Sequence, residues 1–391
     1  MGKFRAVPTE DRGRYESILR YAFSPQNGPL GEEDGQTWQP SLFDPSGIYD
    51  GERLVSTAKL YYLDARVRGK FQRIGGLGAV ATAPEDRKQG YVRDLCFGVL
   101  EEYKQNDVGL VALWPFSTAF YRNLGWGVAN KISHHELSPD AVPSYDVTGR
   151  MVPLTVEDWE RLRGPEKQAG VDLSLCRSEQ WWHERTLTGW TGTPDPHLYG
   201  YERNGSLAGF LVYTVRDNEA KTLSVQTAVS TDEDSYRAIL DFLGTHGAQI
   251  ERIELPLAEG ADLLDRTANP EEIDCEIRTG PMIRLTTVDA LEKIAWPSVS
   301  LSCTIEVTDP LCSWNDDQFV LTVRDGVATV SRQSGEHPAL TVDIGTLSQL
   351  AIGAIDIDTA VRLDKLSVEP ELREPLTRLF EPRTVFLQEF F

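Results

Sequence analysis

Lysine is scarce in this chain. Only 10 of its 39 basic residues are Lys and the other 29 are Arg, against 60 Asp+Glu, for a formal net charge of −21. A surface that acidic is unsuited to neutralising phosphates, which excludes general nucleic-acid binding. Excess carboxylate with depleted lysine is also the pattern of a cytoplasmic protein from a high-salt cell, where salt screens the self-repulsion; the alternative is an ordinary acidic protein. Long apolar runs are missing as well. The longest, around Leu110–Phe116, falls far below the ~20 residues of a membrane-spanning helix, and the polar opening MGKFRAVPTEDRGRYES has no apolar signal core. The expectation is a cytoplasmic protein with no membrane partner. Cysteine is sparse: five residues (Cys96, Cys176, Cys275, Cys303 and Cys312) with no CxxC pair, so neither a zinc site nor a disulfide framework is predicted.

What the chain does have is ordinary globular composition over 391 residues, enough for two to four domains. It also has a weak internal repeat. GIYDGERLVSTAKLYYLDARV, turning at Asp50-Gly51, is matched by HLYGYERNGSLAGFLVYTV, turning at Asn204-Gly205. A further strand follows each copy (Ile74–Thr82 and Thr222–Ser230), then a helical stretch (Val92–Lys104 and Ser235–His246). In the first helix Leu95, Val99, Leu100 and Tyr103 share a face. The last third differs: two short strands around Asp325-Gly326, alternation over Ala339–Ile344, a helix at Thr346–Ala354 and another at Pro370–Phe380, ending in TVFLQEFF. The fold class predicted is α+β: two tandem units with mixed, mostly antiparallel sheets over 1–145 and 146–285, then a smaller α+β domain over 286–391.

The segment GGLGAVATAPEDRKQGYVRDLCFGVLEEYK holds the most chemistry. A strand ends at Thr82, Pro84 breaks it, and a turn with Arg87, Lys88 and Gly90 opens an amphipathic helix. Helix N-termini present unpaired N–H groups and a partial positive charge suited to pyrophosphate, and Gly90 lets backbone approach the anion. Taken alone, the stretch could equally be a plain strand–turn–helix junction with solvated cations. Downstream, a buried strand over Val108–Leu113 leads to a short helix with Phe120-Tyr121-Arg122-Asn123-Leu124-Gly125-Trp126.

Together these stretches resemble the Gcn5-related N-acetyltransferase (GNAT) superfamily, whose phosphate loop R/Q-x-x-G-x-G/A is read here as Arg87-Lys88-Gln89-Gly90-Tyr91-Val92. Val92 departs from the small residue usual at the last position. The chain as a whole resembles the enhanced intracellular survival (Eis) acetyltransferases, two tandem GNAT domains followed by a sterol-carrier-protein-type domain. The motif match is confined to about 75–129 and the terminal aromatic. The resemblance implies acetyl-CoA as cofactor, held by Val80, Ala81 and Thr82, by Arg87 through Arg93, and by Phe116 and Ser117. It also implies a homo-oligomer, often hexameric. The second copy reads STDEDSYR where the first has APEDRKQG, and three acids with no glycine would repel a pyrophosphate.

Acetyl transfer to an amine needs a proton donor for the departing thiolate, and Tyr121 fits by position and by the family's pattern; it could also be a core tyrosine of its helix. The Eis resemblance supplies the base, the main-chain carboxylate of the last residue, Phe391. Phe390 and Phe391 on an apolar tail make sense if the terminus inserts into the first domain, the alternative being a tail packed on its own domain. Among the six histidines only His134 and His135 invite a catalytic reading, and no metal is expected. Candidates for receiving a polycationic amine are Glu32, Glu33, Asp34, Trp38 and Glu389. The function expected is acetyl-CoA-dependent N-acetylation of primary amines, whether polycationic small molecules or lysine side chains. The other possibility is a non-catalytic protein that binds acyl-CoA or an apolar ligand.

Overall fold

The structure, a computed structural model, describes residues 2–23, 38–188, 194–217, 219–333, 335 and 337–391. The chain forms two compact units. The first comprises Met1–Ala129, Pro281–Arg383 and Phe390–Phe391, and the second Asn130–Gly280 and Thr384–Glu389. Among the described residues no helix is long and apolar enough to cross a membrane.

The first unit opens with β1 (Lys3–Ala6), α1 (Arg12–Phe23), β2 (Asp44–Asp50), β3 (Arg53–Val67) and β4 (Lys70–Thr82). Then come α2 (Tyr91–Gln105), β5 (Leu110–Leu113), α3 (Thr118–Arg122) and β6 (Gly127–Val128). The predicted hairpin at Asp50-Gly51 joins β2 to β3, and the predicted helical face is the one α2 buries: Leu95, Cys96, Val99, Leu100 and Tyr103. Tyr103 donates its hydroxyl proton toward the carbonyls of Tyr61 and Gly76, both at 2.9 Å, and a Cβ on Gly75 would lie 2.6 Å from its ring. Buried tyrosine hydroxyls need such partners, so Tyr103 locks α2 onto β3 and β4.

The second unit repeats the plan. Its elements are β7 (Lys131–Leu137), β8 (Arg150–Pro153), α4 (Trp159–Gln168), α5 (Glu179–Trp181), β9 (His197–Arg203), β10 (Ser206–Asp217) and β11 (Lys221–Ser230). They continue with α6 (Glu233–Gly244), β12 (Arg252–Ala258), α7 (Leu263–Arg266) and β13 (Asp274–Thr279). Asn204 and Gly205, both at positive φ, make the second predicted turn. The sheet runs β13-β7-β12-β11-β10-β9-β8.

β14 (Met282–Leu285) then completes the first unit's sheet, β1-β2-β3-β4-β5-β14-β6. In the same unit β15 (Leu301–Thr308), β16 (Asp317–Arg324), β17 (Val327–Arg332), β18 (Leu340–Asp343) and β19 (Leu366–Val368) form a separate sheet, with α8 (Ile344–Ile352), α9 (Ile357–Arg362) and α10 (Pro370–Leu379). Arg68, at the tip of the β3–β4 hairpin, is buried and donates to the carbonyls of Ala351 (2.7 Å) and Leu350 (2.9 Å). These are the acceptors that a helix C-terminus leaves open, and they suit a cation.

Candidate active site

β4 and β5 run parallel and paired only over Gly75–Leu77 and Val111–Leu113. Beyond Leu77 they diverge, and a bulge at Ala79 (φ +51°) turns β4's outer edge into the gap. Ser56 and Thr57 of β3 satisfy the bulge from behind, donating to the carbonyls of Ala81 (2.7 Å) and Ala79 (3.4 Å). Strand edges without a neighbour offer hydrogen bonds to a ligand, and Val80, Ala81 and Thr82 lie along this edge. A cavity of about 550 Å³ opens there.

At one side of the cavity lies the loop from Arg87 to Gly90. Lys88 and Gly90 both take left-handed φ, +63° and +88°, and Gly90 caps α2. A Cβ on Gly90 would meet nothing within 4 Å, so the backbone conformation rather than crowding requires glycine. The amide of Arg93 already bonds the Gly90 carbonyl at 2.9 Å, leaving the amides before it as the helix's open donors. The Arg93 guanidinium donates to the Pro310 carbonyl at 2.6 Å rather than extending over the loop. Arg87 rests over the ring of Tyr21, 5.5 Å from its centroid. Gln89 is exposed within the loop, and Val92 packs on the α2 core cluster while lining the cavity with Tyr91.

The two acids of the turn are neutralised. Arg53 grips Asp86 at 2.6 and 2.7 Å, and Arg14 holds Glu85 at 2.6 Å. These hydrogen bonds keep both carboxyls below their ordinary range, so the cavity keeps the cations of its loop. With an open left-handed glycine, a helix N-terminus, Arg87 and Lys88, the site fits an acidic pyrophosphate-bearing ligand.

In the same place of the second unit the helix N-terminus is already spent. Asp232 accepts from the Ser235 amide at 2.9 Å in a capping box, and Arg203 pairs with both Asp232 and Asp234. An anion would find the Ser235 amide taken and carboxylates in the way.

Tyr121 and Phe391 both line the first unit's cavity. Tyr121 is buried on α3, between the rings of Phe116 (5.2 Å), Phe120 (5.3 Å) and Trp126 (6.1 Å). Burial raises its phenol well above the usual value. Ser117 caps α3 by accepting from the Phe120 amide at 3.3 Å, whereas Phe116 is 66 % exposed on the cavity wall. The turn after α3 is fixed from a distance. Buried Arg284 donates to the Leu124 carbonyl and grips Asp309 at 2.7 and 2.6 Å, and a Cβ on Gly125 would strike its guanidinium.

Phe391 is buried as expected of an inserted terminus, its ring 5.5 Å from that of Tyr61. Glycines make the room. A Cβ on Gly76 would lie 2.9 Å from the Phe391 ring, and one on Gly78 3.0 Å from its carboxyl carbon and oxygen. Phe390, expected to insert beside it, is instead 56 % exposed and tilts against Trp114 at 5.5 Å. Adjacent residues of an extended tail point opposite ways, so only one can go in.

The structure corrects two other expectations. Glu389 does not face an acceptor: Arg177 binds it at 2.8 and 2.5 Å and the Trp181 indole donates to it at 2.7 Å, all within the second unit. Trp38 is not among the cavity's lining residues. It packs edge-on against Tyr15 (5.4 Å) in the apolar α1 cluster. Glu32, Glu33 and Asp34 lie outside the described residues. His134 and His135 sit on β7 of the second unit, where burial lowers both pKa values.

A family model described as an acetyltransferase (GNAT) domain matches residues 3–129, and another of the same description matches 173–285. A sterol carrier protein domain matches 287–388. The chain therefore carries two GNAT acetyltransferase domains, whose acyl donor is acetyl-CoA. Its two GNAT domains with a following sterol carrier domain give it the architecture of the Eis family it resembles. Solved structures share that fold over 100 % of both chains. They include a probable N-acyltransferase from Enterococcus faecalis (21 % identity, TM-score 0.90) and a GCN5-related N-acetyltransferase from Anabaena variabilis (19 %, 0.88). Eis1 from Mycobacterium abscessus is a third (20 %, 0.81). No curated protein matches the sequence.

The glycine at the loop gives a first expected result. Gly90→Val must hold φ +88° with a branched side chain, which costs on the order of 1–2 kcal/mol in the left-handed region, or abandon the cap. Either way the cradle is lost. The dissociation constant for acetyl-CoA, measured by calorimetry, should rise at least about tenfold, since 1.4 kcal/mol is a decade. An Arg87→Ala/Lys88→Ala double variant should do likewise; unchanged affinity in both would remove this loop from cofactor binding.

Proposed function

We propose that the first GNAT domain, about residues 1–145, transfers acetyl from acetyl-CoA to primary amines, with Tyr121 as proton donor and the Phe391 carboxylate as proton acceptor. The second GNAT domain, about 146–285, does no chemistry, and the domain over 286–391 delivers the terminus. What carries the reading is one cavity lined by the Gly90 loop, the β4 edge, Tyr121 and Phe391. The enzyme works in the cytoplasm as a homo-oligomer, as the Eis resemblance implies.

In this reading the acceptor, having lost its ammonium proton to solvent, attacks as the neutral amine, and the carboxylate of Phe391 takes the one N–H proton that the nitrogen sheds as it becomes cationic. The nitrogen bonds to the thioester carbonyl carbon, and amides of the Val80–Thr82 edge bear the charge that develops on the oxygen. As the carbon–sulfur bond breaks, Tyr121 gives its proton to the departing sulfur, and the proton held by Phe391 returns to the phenolate through solvent. The products are an acetamide and a free thiol. Trp114, Phe116 and Phe390 present aromatic faces at the cavity, which attract an ammonium group without a carboxylate.

The test is thiol release from acetyl-CoA with a panel of aminoglycosides, polyamines and lysine peptides, the acetylated product being weighed by mass spectrometry. Thiol release should depend on the amine and match the acetamide formed. Acetyl-CoA binding with no thiol release from any amine would sink the proposal in favour of a non-catalytic binder.

A further inference from the structure

The repeat makes β10, β11, α6 and β12 the counterparts of β3, β4, α2 and β5. β11 and β12 pair only over Thr222–Ser224 and Arg252–Glu254, then diverge, with a bulge near Val225–Thr227. The second unit therefore has its own splayed groove, with Thr227–Ser230 standing where Ala79–Thr82 stand in the first. Where the first groove is a cavity of about 550 Å³, the second retains about 100 Å³. The remainder is lined by the chain's own tail, Phe386–Glu389.

The tail is held beside it by an isolated parallel bridge between Val385 and Asp172 of the loop after α4. The Asp172 amide donates to the Thr384 carbonyl at 2.9 Å, and the Phe386 amide to the Asp172 carbonyl at 2.8 Å. Leu387 is fully buried, and its amide donates to the Asn130 side chain at 3.1 Å. At the end of this run sits a buried charge cluster. Arg177 donates to Glu166 from Nη1 (2.8 Å), to the Thr227 hydroxyl from Nη2 (3.3 Å) and to Glu389 from Nε and Nη2 (2.8 and 2.5 Å). The side chains of Arg177, Glu166 and Glu389 are 5 %, 0 % and 9 % exposed.

Burying three charges is an expensive way to gain stability, because desolvation offsets most of the attraction. Their best-attested use is to fix register. Backbone bonds alone tolerate a slip of one residue, but such a slip would carry the Glu389 carboxylate ~3.3 Å from Arg177 and strip a buried cation of its Nε and Nη2 contacts to that carboxylate, leaving only Glu166 and Thr227 to hold it.

We propose that the second unit's splayed groove is a docking site for the C-terminal segment 384–389. Within it Arg177 is a positioning residue that sets the register of the tail and so the placement of the Phe391 carboxylate two residues on. The degenerate GNAT unit keeps its groove but binds the chain itself in place of a cofactor. The catalytic half of this inference rests on Phe391 being the base.

Glu389→Gln keeps the shape and removes the charge, Arg177→Met removes the clamp, and Arg177→Lys restores a cation without the fork. Two quantities are read: the split between kcat and the acetyl-CoA KM, and the rate at which carboxypeptidase releases Phe391 and Phe390. Glu389→Gln and Arg177→Met should lower kcat about 10- to 100-fold with the acetyl-CoA KM within about twofold. Both should speed release at least about tenfold, with Arg177→Lys between them and wild type. Release at the wild-type rate in Glu389→Gln overturns the proposal, and so does faster release with unchanged kcat in an enzyme that loses activity when Phe391 is deleted. If deleting Phe391 leaves the rate intact, it is the base assignment that fails. Release then decides alone: faster supports the docked register, and unchanged overturns it.

Discussion

Amidating the carboxyl of Phe391, by ligation of a synthetic tail, is expected to lower kcat by at least ~10²-fold while leaving acetyl-CoA affinity unchanged. The ring keeps its place against Tyr61 and over Gly76, so packing is preserved and only the charge goes. A terminal carboxyl has an ordinary pKa of roughly 3.3–3.7, too low to take a proton from an ammonium readily. The nitrogen becomes a far stronger acid once it has bonded to the carbonyl carbon, and the carboxylate accepts its proton at that point. Deleting Phe391 moves the carboxylate back by ~3.3–3.6 Å, beyond hydrogen-bond tolerance, and a carboxyl-terminal tag removes it. Gly78→Ala is a milder version, since its Cβ would stand 3.0 Å from the carboxyl carbon and oxygen, which must give by a few tenths of an ångström. A misplacement of about 1 Å can cost ~10²-fold in rate. Wild-type turnover by the amidated or tagged enzyme would place the base elsewhere and return the histidines as candidates.

What could be read from the sequence was what neighbouring residues encode. The repeated hairpins, the buried face of α2, the Gly90 loop and the turn carrying Tyr121 each have their cause in a short stretch of neighbouring residues, in periodicity, turn chemistry and a helix start. The supports of the site have no such local signature. Arg284 reaches Leu124 from 160 residues away and Arg177 meets Glu389 at a separation of 212. Nothing near either arginine distinguishes it from the 27 others. Glu389 was misassigned for that reason: an acid beside the terminus looks like a receiver for cations until the distant arginine is in view. One signal was present and carried more than the loop motif used. The run Gly75-Gly76-Leu77-Gly78 is costly in a strand interior, and each glycine stands where another group comes close. Those groups are the Tyr103 ring, the Phe391 ring and the Phe391 carboxyl.

Tyr121→Phe should lower kcat by ~10²–10⁴-fold with little effect on acetyl-CoA binding or thermal stability. The substitution removes one oxygen and leaves the ring among Phe116, Phe120 and Trp126. Burial raises the phenol's pKa, so the proton stays on the oxygen throughout the working range between about pH 6 and 9. That makes it a poor acid toward a free thiolate of pKa ~8.5 in water. In the same buried surroundings the thiolate is also destabilised and its own pKa rises, which brings donor and acceptor back toward a match as the carbon–sulfur bond breaks. The direction of the phenol's shift has a second consequence. Because Tyr121 does not ionise in that range, any alkaline limb in the pH–rate profile belongs to another group and should persist in Tyr121→Phe at a lower plateau. A kcat within about threefold of wild type, or an alkaline limb that vanishes with the hydroxyl, would remove Tyr121 from the donor role and leave it as a packed ring of α3.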